Sequence, residues 1–600
     1  MSEDLKRIPE RHEIALEETW DLSGLFPSDK AWGETLAEYE KMAEKLPSFK
    51  GTLARSAESL ADYMDFSCGH DILGERLYWY AYARRSEDER SDEARAMNDR
   101  YDMAKAKSDA ACAWAKPEML AIPDTDIAKF LEHPRLADYR VYIARILRLR
   151  PYTLSEEGER LAALYEEGAN ALSEVQSALI HVDLMNVDLS DMDPPEGGGE
   201  LKGESPERAS RRRLHEKGKA YWDSHKTTLA SLIAGKVKLA AIRARVRGYP
   251  SARAAALFKD DVSGEIYDRL IATLGENLGA VHRYYGLLKR ALGLDELRDY
   301  DMDVPLAGSA KRKTSWEEAV GLLTDALRPL GDEYASTLRK GLLGRWVDRC
   351  LNQGKCSFQF ILESYGRDPL IMSPYGEDRI EDIDVLAHES GHAMHTWYSD
   401  RANPFRQKSY SILESEVASA FHEEMLFRQL IKTFGDDREM RLYLLNMRVS
   451  GLIRMFHDHT RYAEFDKVVH GLYESGAALT VDALSGEARR LLAKYRGPAF
   501  TLDDTSELTE MSYVYSVVPS PSFYMYVYAI GNCAAMALAD RVLGGGESER
   551  RDYIAFLKSG GSRFPIDALK IAGLDMSRPD PVQAACQVFA GLVDELERLL

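Results

Sequence analysis

The chain has 600 residues, more than one compact core usually supports, so two or three structural units are expected. Its formal charge of −20 argues against nucleic-acid binding, because such proteins need clustered excess Lys and Arg. Six scattered cysteines form no Cys-x-x-Cys pair, and the first residues offer no apolar signal segment, so a cytoplasmic protein with reduced thiols is expected.

Helical periodicity dominates the pattern of apolar residues. Apolar positions recur three and four residues apart, with charges on the opposite face, in four long stretches: 32–46, 161–180, 214–246 and 428–456. Alternating runs typical of strands are few, and the best candidate is 355–375. The pattern predicts a mainly α fold that includes one small β-sheet.

Two prolines and three consecutive glycines interrupt the chain at 191–200. This composition ends a helix and leaves the direction of the chain free, as is typical of a linker. A second break in the helical pattern falls at 117–125. We therefore expect an N-terminal helical region at 1–115, a second helical region at 116–195 and a large domain at 200–600.

The stretch 511–539 contains no charged residue and exceeds the roughly 20 residues that a membrane-spanning helix needs. Pro519, Pro521 and Asn532 would be costly in lipid, where no water satisfies polar groups. The stretch is interpreted as a buried core segment, and no membrane partner is expected.

The decisive chemical signal is His388-Glu389-Ser390-Gly391-His392. Positions i and i+4 of a helix lie almost above one another, so the two histidines can bind one zinc ion at about 2.0–2.1 Å. Glu389 lies about 100° round the helix from His388, which lets it miss the metal and reach a water molecule. Its predicted role is general base.

A catalytic zinc site normally has three protein ligands, so a third must come from elsewhere. A metzincin would place Gly and His at fixed offsets after His392, and the chain lacks both. In a gluzincin a downstream helix supplies a glutamate, and four acids are candidates: Glu414, Glu416, Glu423 and Glu424. Glu416 is preferred because apolar neighbours one turn away would bury it, whereas Glu423 and Glu424 resemble a solvated face.

Two further residues are expected near the ligands. Asp384, four residues before His388, is positioned to accept the N–H of that imidazole, although a plain charge at a helix N-terminus is an equal alternative. His395, seven residues after His388, returns to nearly the same face. We expect it to support a ligand or contact substrate, because a fourth protein ligand would leave no place for water.

At these residues the sequence resembles oligoendopeptidase F, in the thimet oligopeptidase family of zinc metallopeptidases. The resemblance spans nearly the whole chain, in the runs 18–23, 171–176, 247–251, 255–258, 414–419, 462–465 and 523–531. It implies a multi-helix ellipsoid enclosing a deep substrate channel, with zinc at its base and short unstructured peptides as substrates. It also implies an oligopeptidase F-type region at 116–195 and a catalytic domain at 200–600.

Carried over by position, the resemblance implies that His388, His392 and Glu416 bind one Zn²⁺ per chain, with Glu389 as the base. A tyrosine run then supplies the hydroxyl that stabilises the oxyanion, with Tyr526 the first choice and Tyr524 the second. Tyr528 is assigned to packing.

Two departures from the family pattern bear on activity. The segments 355–360 and 368–372 differ from the usual sequence before the zinc helix, so substrate contacts are expected to differ. The family's histidine before the tyrosine run is missing, with Val517 and Val518 at about that place. Loss of one such donor typically costs about 10²–10³ in rate.

The sequence therefore predicts a zinc-dependent endopeptidase acting on short oligopeptides. Two alternatives stay open: a zinc-loaded peptide-binding protein with impaired catalysis, and a carboxypeptidase on a similar helical scaffold. The oligomeric state is not predicted.

Overall fold

The computed structural model describes residues 7–184, 207–302, 304, 306, 312–517 and 522–600. The predicted linker at 191–200 lies outside the described residues. Serines begin several helices: Ser28, Ser56 and Ser91 precede the first three, and each side chain accepts a hydrogen bond from a backbone N–H of the first turn.

The helices of the first half of the chain are α1 Asp29–Ala43, α2 Ala57–Glu87, α3 Asp92–Cys112, α4 Ala115–Ala121, α5 Asp124–Phe130, α6 Arg140–Leu147, α7 Glu156–Ala178, α8 Arg208–Asp223, α9 Lys226–Arg247, α10 Ala252–Phe258, α11 Gly264–Glu276 and α12 Gly279–Ala291. The strands and remaining helices are α13 Trp316–Ala326, α14 Asp332–Leu343, β1 Val347–Asp348, β2 Phe360–Leu362, β3 Leu370–Met372, α15 Glu381–Ala402, α16 Phe405–Lys408, α17 Ile412–Phe434, α18 Arg438–Leu452, α19 His459–Glu474, α20 Val481–Arg496, α21 Leu508–Val517, α22 Tyr526–Gly544, α23 Glu547–Ser559, α24 Pro565–Ile571 and α25 Asp580–Leu599. The prediction of a mainly α fold is confirmed.

The small sheet lies where the sequence predicted strands. Its order is β1-β3-β2, with β1 parallel and β2 antiparallel to β3. Phe360 lies opposite Met372 in the antiparallel pair. The sequence missed β1, because a strand of two residues is too short to show an alternating pattern.

The described chain forms two compact units. Unit 1 combines Met1–Pro151, Lys311–Leu430 and Leu538–Leu574, and unit 2 combines Tyr152–Ala310, Ile431–Ala537 and Asp575–Leu600. Each unit thus draws on three separate segments of the chain. The division in chain order at 116 and 200 stays a prediction.

In unit 1, helices α1, α2 and α3 pack on one another and share a core with the sheet. The Trp32 indole of α1 donates to the Leu77 carbonyl of α2 at 2.9 Å. Helix α23 supports the two helices that carry the histidine motif and the candidate acids. Phe421 of α17 stacks on Tyr553 of α23 with ring centroids 4.1 Å apart.

In unit 2, α9 packs against α7, α10, α19, α20 and α21, while α11, α12 and α18 pack against α25. The Tyr267 hydroxyl of α11 donates to the Ala463 carbonyl of α19 at 2.7 Å. Tyr284 of α12 likewise donates to Asn446 of α18 at 3.0 Å. Buried tyrosines thus tie neighbouring helices together through their hydroxyls.

Two predicted helices are each divided in the structure. The stretch 214–246 forms α8 and α9, separated at Ser224 and His225, where the Asp223 carboxylate accepts the Ser506 N–H at 2.8 Å. The stretch 428–456 is broken after α17, and Asp437 caps α18 through two backbone N–H groups. No described helix is both long and apolar enough to cross a bilayer.

Candidate active site

The histidine motif lies on α15, as its spacing predicts. The Nε2 atoms of His388 and His392 face each other at 3.1 Å. Glu389, between them in sequence, is 6% exposed. The helix therefore presents two imidazole nitrogens at one point and a buried carboxylate beside them.

Gly391 allows α17 to approach α15 closely. A Cβ atom at this position would lie 2.5 Å from the Ala418 carbonyl oxygen and 2.5 Å from the Ser419 Cα. Only glycine fits such a backbone-to-backbone contact. The close crossing brings the acids of α17 to the two histidines.

Glu416 completes the cluster. One ligand atom from each of His388, His392 and Glu416 lies within 4.8 Å of the others, and Glu416 Oε2 is 3.8 Å from His388 Nε2. Of the other candidates, Glu414 accepts the Ser411 N–H at 2.8 Å in its own first turn, and Glu424 pairs with Arg428 at 2.8 Å.

The carboxylate beside Nδ1 of His388 belongs to Glu423, whereas the sequence predicted Asp384 for that contact. Its Oε1 lies 2.6 Å from Nδ1 of His388, while Asp384 is half-buried in the first turn of α15. The expectation of a solvated face at Glu423 and Glu424 was wrong, because Glu424 is 2% exposed and the Glu423 side chain 13%. Glu423 follows Glu416 by two helical turns and so shares its face.

The second imidazole is held by a hydroxyl. Nδ1 of His392 lies 2.9 Å from Ser415 Oγ. When Nε2 of a histidine binds a metal, Nδ1 carries the proton and donates it to such a partner. Ser415 and Glu423 therefore both fix the tautomer that leaves Nε2 free for a metal.

The electrostatics of the cluster favour a cation. Burial opposes protonation of His388, but the hydrogen bond to Glu423 and the charges of Glu423, Glu416 and Glu389 raise its pKa to about 10. Burial, together with the charges of Glu416 and Glu423, raises the pKa of Glu389 to about 7, against the opposing effect of His388. Positive charge is therefore stabilised at this point.

His395 does not take the predicted role. It is fully buried, its ring stacks on Tyr410 at 3.6 Å between centroids, and neither ring nitrogen has a hydrogen-bond partner among the residues that the structure describes. Burial lowers its pKa to about 3. A residue seven positions from His388 returns to the same side of the helix, but here it points into the packed interior.

The donor set fits zinc. Two nitrogen ligands at about 2.0–2.1 Å from a tetrahedral ion lie about 3.3 Å apart, close to the 3.1 Å between the two Nε2 atoms. Two imidazoles and one carboxylate are a common ligand set of catalytic zinc, and they leave a fourth position for water. The residues present thus suit the metal that the motif predicts.

A second group of potential ligands lies in unit 2, with ligand atoms of His215, Asp299 and Asp503 within 4.8 Å of one another. The Lys219 ammonium lies 3.2 Å from Asp299 and 3.4 Å from Asp503. Since a cation of the protein already neutralises these acids, the group is an ion-pair network.

The tyrosine run lies in unit 2 at the start of α22. Tyr526, the first choice for the oxyanion donor, is 2% exposed and packs against Tyr267 with centroids 5.3 Å apart. Tyr524 and Tyr528, two residues before and two residues after Tyr526, are half-buried, and their hydroxyl oxygens are 3.5 Å apart. Burial therefore separates Tyr526 from Tyr524 and Tyr528, the last of which the sequence analysis assigned to packing.

Asp466 is a residue that sequence reasoning missed. This buried carboxylate of α19 accepts the Phe523 N–H at 2.8 Å and the hydroxyl proton of Tyr515. Phe523 has a φ of 59°, a strained value for a bulky residue. Asp466 therefore stabilises the turn that leads into the tyrosine run. Val518, at the place of the missing family histidine, lies outside the described residues.

The sequence matches two known protein families. The model of Peptidase family M3 matches residues 202–588, and that of Oligopeptidase F matches residues 118–185. The chain belongs to peptidase family M3. The M3 family is in general one of zinc metallopeptidases.

Relatives extend the match to the whole chain. Oligopeptidase PepF of Bacillus subtilis is 34% identical, with 100% of this chain and 90% of that protein covered. Group B oligopeptidase PepB of Streptococcus agalactiae is 28% identical, with 100% and 99% covered. This M3 chain is an oligopeptide-hydrolysing metalloendopeptidase.

Solved structures share the fold. The oligoendopeptidase-F from Enterococcus faecium is 27% identical with a TM-score of 0.72, covering 95% of this chain and 99% of that one. A Chlamydophila abortus protein assigned as a peptidase is 27% identical with a TM-score of 0.88, covering 99% and 100%. The M3 oligopeptidase fold therefore extends over nearly the whole chain.

Proposed function

We propose that this chain is a zinc endopeptidase for short, unstructured peptides, with His388, His392 and Glu416 as ligands of one zinc ion. The main support is that these three side chains converge on one point. The two histidine Nε2 atoms are 3.1 Å apart, and Glu416 Oε2 lies 3.8 Å from His388 Nε2. When bound there, zinc would supply Lewis acidity toward the substrate carbonyl and toward water.

Glu389 is the general base. Its carboxylate is buried, and its residue directly follows the ligand His388 on α15. Successive residues of a helix point about 100° apart, so Glu389 is directed away from the ligand position and can transfer protons. It accepts a proton from the attacking water and can return one to the departing amine. Glu423 and Ser415 hold the two histidines in the tautomer that the ligands need.

Tyr524 and Tyr528 are the proposed oxyanion donors. Attack of water leaves negative charge on the former carbonyl oxygen, and a hydroxyl about 2.7–3.1 Å from that position stabilises it. The two hydroxyls adjoin each other, whereas Tyr526 packs in the interior. With the family histidine missing from the sequence, these hydroxyls are expected to provide more of the stabilisation.

Neither alternative reading has support of its own. A peptide-binding protein would have no use for the buried base Glu389, and the named relatives PepF and PepB are oligopeptidases. We further propose a cytoplasmic location and substrates that thread into an enclosed channel, as the family resemblance implies.

The test is a digest of a mixture of short peptides, read by mass spectrometry, together with metal analysis of the purified protein. We expect about one zinc per chain, internal cleavage of peptides, loss of cleavage with a zinc chelator and little cleavage of a folded protein. Release of single C-terminal residues only would support the carboxypeptidase reading. Chelator-resistant cleavage would contradict the metal assignment.

A further inference from the structure

Unit 2 contains a cavity of about 290 Å³. Its walls are formed by α7, α9, α10 and Ser522, the residue before Phe523. Three cations line it, together with the polar side chains of Asn170, Ser173 and Ser522. No acidic residue is among its described lining residues, although the chain carries a net charge of −20. The cations are Lys236, Arg243 and Arg247.

Lys236 is the unusual member of this wall. It is 7% exposed, and its ammonium donates to the Tyr515 carbonyl at 2.6 Å. The structure describes two other buried lysines, Lys355 and Lys408, and each pairs with a carboxylate, Asp348 and Glu75 respectively. Lys236 has no carboxylate partner among the described residues, and burial lowers its pKa to about 8.

The two arginines are already paired, which singles out Lys236 further. Arg243 binds Glu166 with Nε 2.7 Å from Oε1, and Arg247 binds Glu159 at 2.8 Å. Neither glutamate lines the cavity. Lys236 alone brings a buried ammonium with two N–H donors beyond the one given to Tyr515. Leaving such donors unsatisfied is costly, so an anion in the cavity would stabilise them.

The cavity adjoins the tyrosine run through two routes. Ser522 in its wall precedes Phe523 directly. Tyr515, whose carbonyl accepts from Lys236, donates its hydroxyl proton to Asp466, and Asp466 also accepts the Phe523 N–H. A group bound to Lys236 would therefore lie close to the segment that carries the proposed oxyanion donors.

We propose that this cavity binds a carboxylate, namely the C-terminal carboxylate of a peptide substrate, with Lys236 as its principal partner. Neutral donors at Asn170, Ser173 and Ser522 are available to the second oxygen. The volume is near the lower end of the roughly 300–1,000 Å³ typical of small-molecule sites, which suits a terminal residue better than a long chain. The proposal rests on the proposed peptidase function.

The test compares one short peptide as the free acid and as the C-terminal amide. Binding is measured by calorimetry with the full chain carrying Glu389→Gln, so that the peptide is not consumed. We expect the acid to bind about tenfold more tightly or better, the size typical of a charge-assisted hydrogen bond. Lys236→Met in the same background should remove the preference, and Lys236→Arg should keep part of it.

Lys238→Met is the matched control, because Lys238 is an exposed lysine two residues away on α9. It should leave the preference for the acid unchanged. The comparison of acid with amide in the Glu389→Gln protein needs no lysine variant, so it tests the proposal even if Lys236→Met does not fold. Equal affinity for acid and amide would overturn the proposal.

Inorganic phosphate distinguishes the source of the anion. Phosphate that competes with the acid but not with the amide supports the site. If acid and amide bind equally while phosphate binding depends on Lys236, a free anion is the ligand and the substrate carboxylate is excluded. If the unsubstituted protein cleaves no peptide but the preference for the acid is intact, the peptidase function is contradicted and the carboxylate site is not.

Discussion

Both ring nitrogens of His388 and His392 have defined neighbours. Their Nε2 atoms face each other near Glu416, while their Nδ1 atoms meet Glu423 and Ser415. A carboxylate at Nδ1 raises the basicity of Nε2 more than a neutral hydroxyl does, since it stabilises positive charge on the ring. His388 is therefore the more strongly polarised of the two proposed ligands.

Substitutions in the tyrosine run separate the donors from the packing residue. Tyr524→Phe should lower the turnover number by about 10²-fold, the cost of one oxyanion donor. Tyr528→Phe should act in the same direction, because its hydroxyl adjoins that of Tyr524. Tyr526→Phe should keep turnover within a few-fold of the parent, since its ring packs in the interior. Steady-state hydrolysis of an internally quenched peptide measures all three.

Zinc content and Tm serve as controls for these variants and should change little. Loss of activity in Tyr526→Phe, with Tyr524→Phe and Tyr528→Phe both active, would restore the choice made from sequence. The sequence could not decide this point, because the left-handed backbone at Phe523 changes the direction of the segment before α22 begins.

At the scale of elements, the crossing of α15 and α17 depends on Gly391. Gly391→Ala would place a methyl group 2.5 Å from backbone atoms of Ala418 and Ser419, which cannot rotate away. Overpacking of this kind costs about 1–3 kcal/mol, and it would move Glu416 away from the histidines. We expect a lower Tm and lower zinc occupancy, measured by calorimetry and metal analysis.

Gly471→Ala is the matched control for this change. Gly471 lies in α19, and a Cβ there would meet nothing within 4 Å. Replacement of an open helical glycine by alanine is typically neutral or stabilising by about 0.5–1 kcal/mol. Equal behaviour of the two variants would contradict the argument from close packing.

The elements that the sequence predicted are those with local causes. The i,i+4 spacing of His388 and His392 is a property of one helix, and the strands near 360 and 370 follow a local pattern. Glu423 was a candidate ligand, but its contact with Nδ1 of His388 was not predicted, because that contact depends on how two helices cross. The break after Asp223 was missed for the same reason, since Ser506, which binds it, is distant in sequence.

At the scale of the whole molecule, buried histidines link stability to pH. His457 is 1% exposed, and its ring centroid lies 4.9 Å from that of Phe589. Within the described part of the chain, neither of its ring nitrogens has a hydrogen-bond partner. Burial lowers its pKa to about 3. In the unfolded chain this histidine is protonated below about pH 6.5, whereas in the folded protein it stays neutral down to about pH 3. Its contribution to the free energy of unfolding therefore falls by about 1.4 kcal/mol per pH unit as the pH drops through this range.

His457→Leu should therefore make the Tm less dependent on pH between 7 and 5. Differential scanning calorimetry across that range measures the slope. His12→Leu, at an exposed position, should keep the slope of the parent. A slope for His457→Leu as steep as that of the parent would show that His457 is protonated in the folded protein without cost.

Each compact unit is assembled from three separate segments, an arrangement that a reading in chain order cannot anticipate. The proposed ligands and base lie in unit 1, and the tyrosine run begins in unit 2. Local patterns identified the candidate residues of each group. Their side-chain directions depend on packing that no motif records.

Glu389 is proposed to activate water at a site whose metal ligands are separate from it. The most direct test is the turnover number of Glu389→Gln on a short peptide, measured on protein with its zinc content determined. We expect a fall of at least about 10²-fold with zinc retained, because the base is lost while the ligands stay in place. Turnover equal to that of the parent at full zinc content would contradict it.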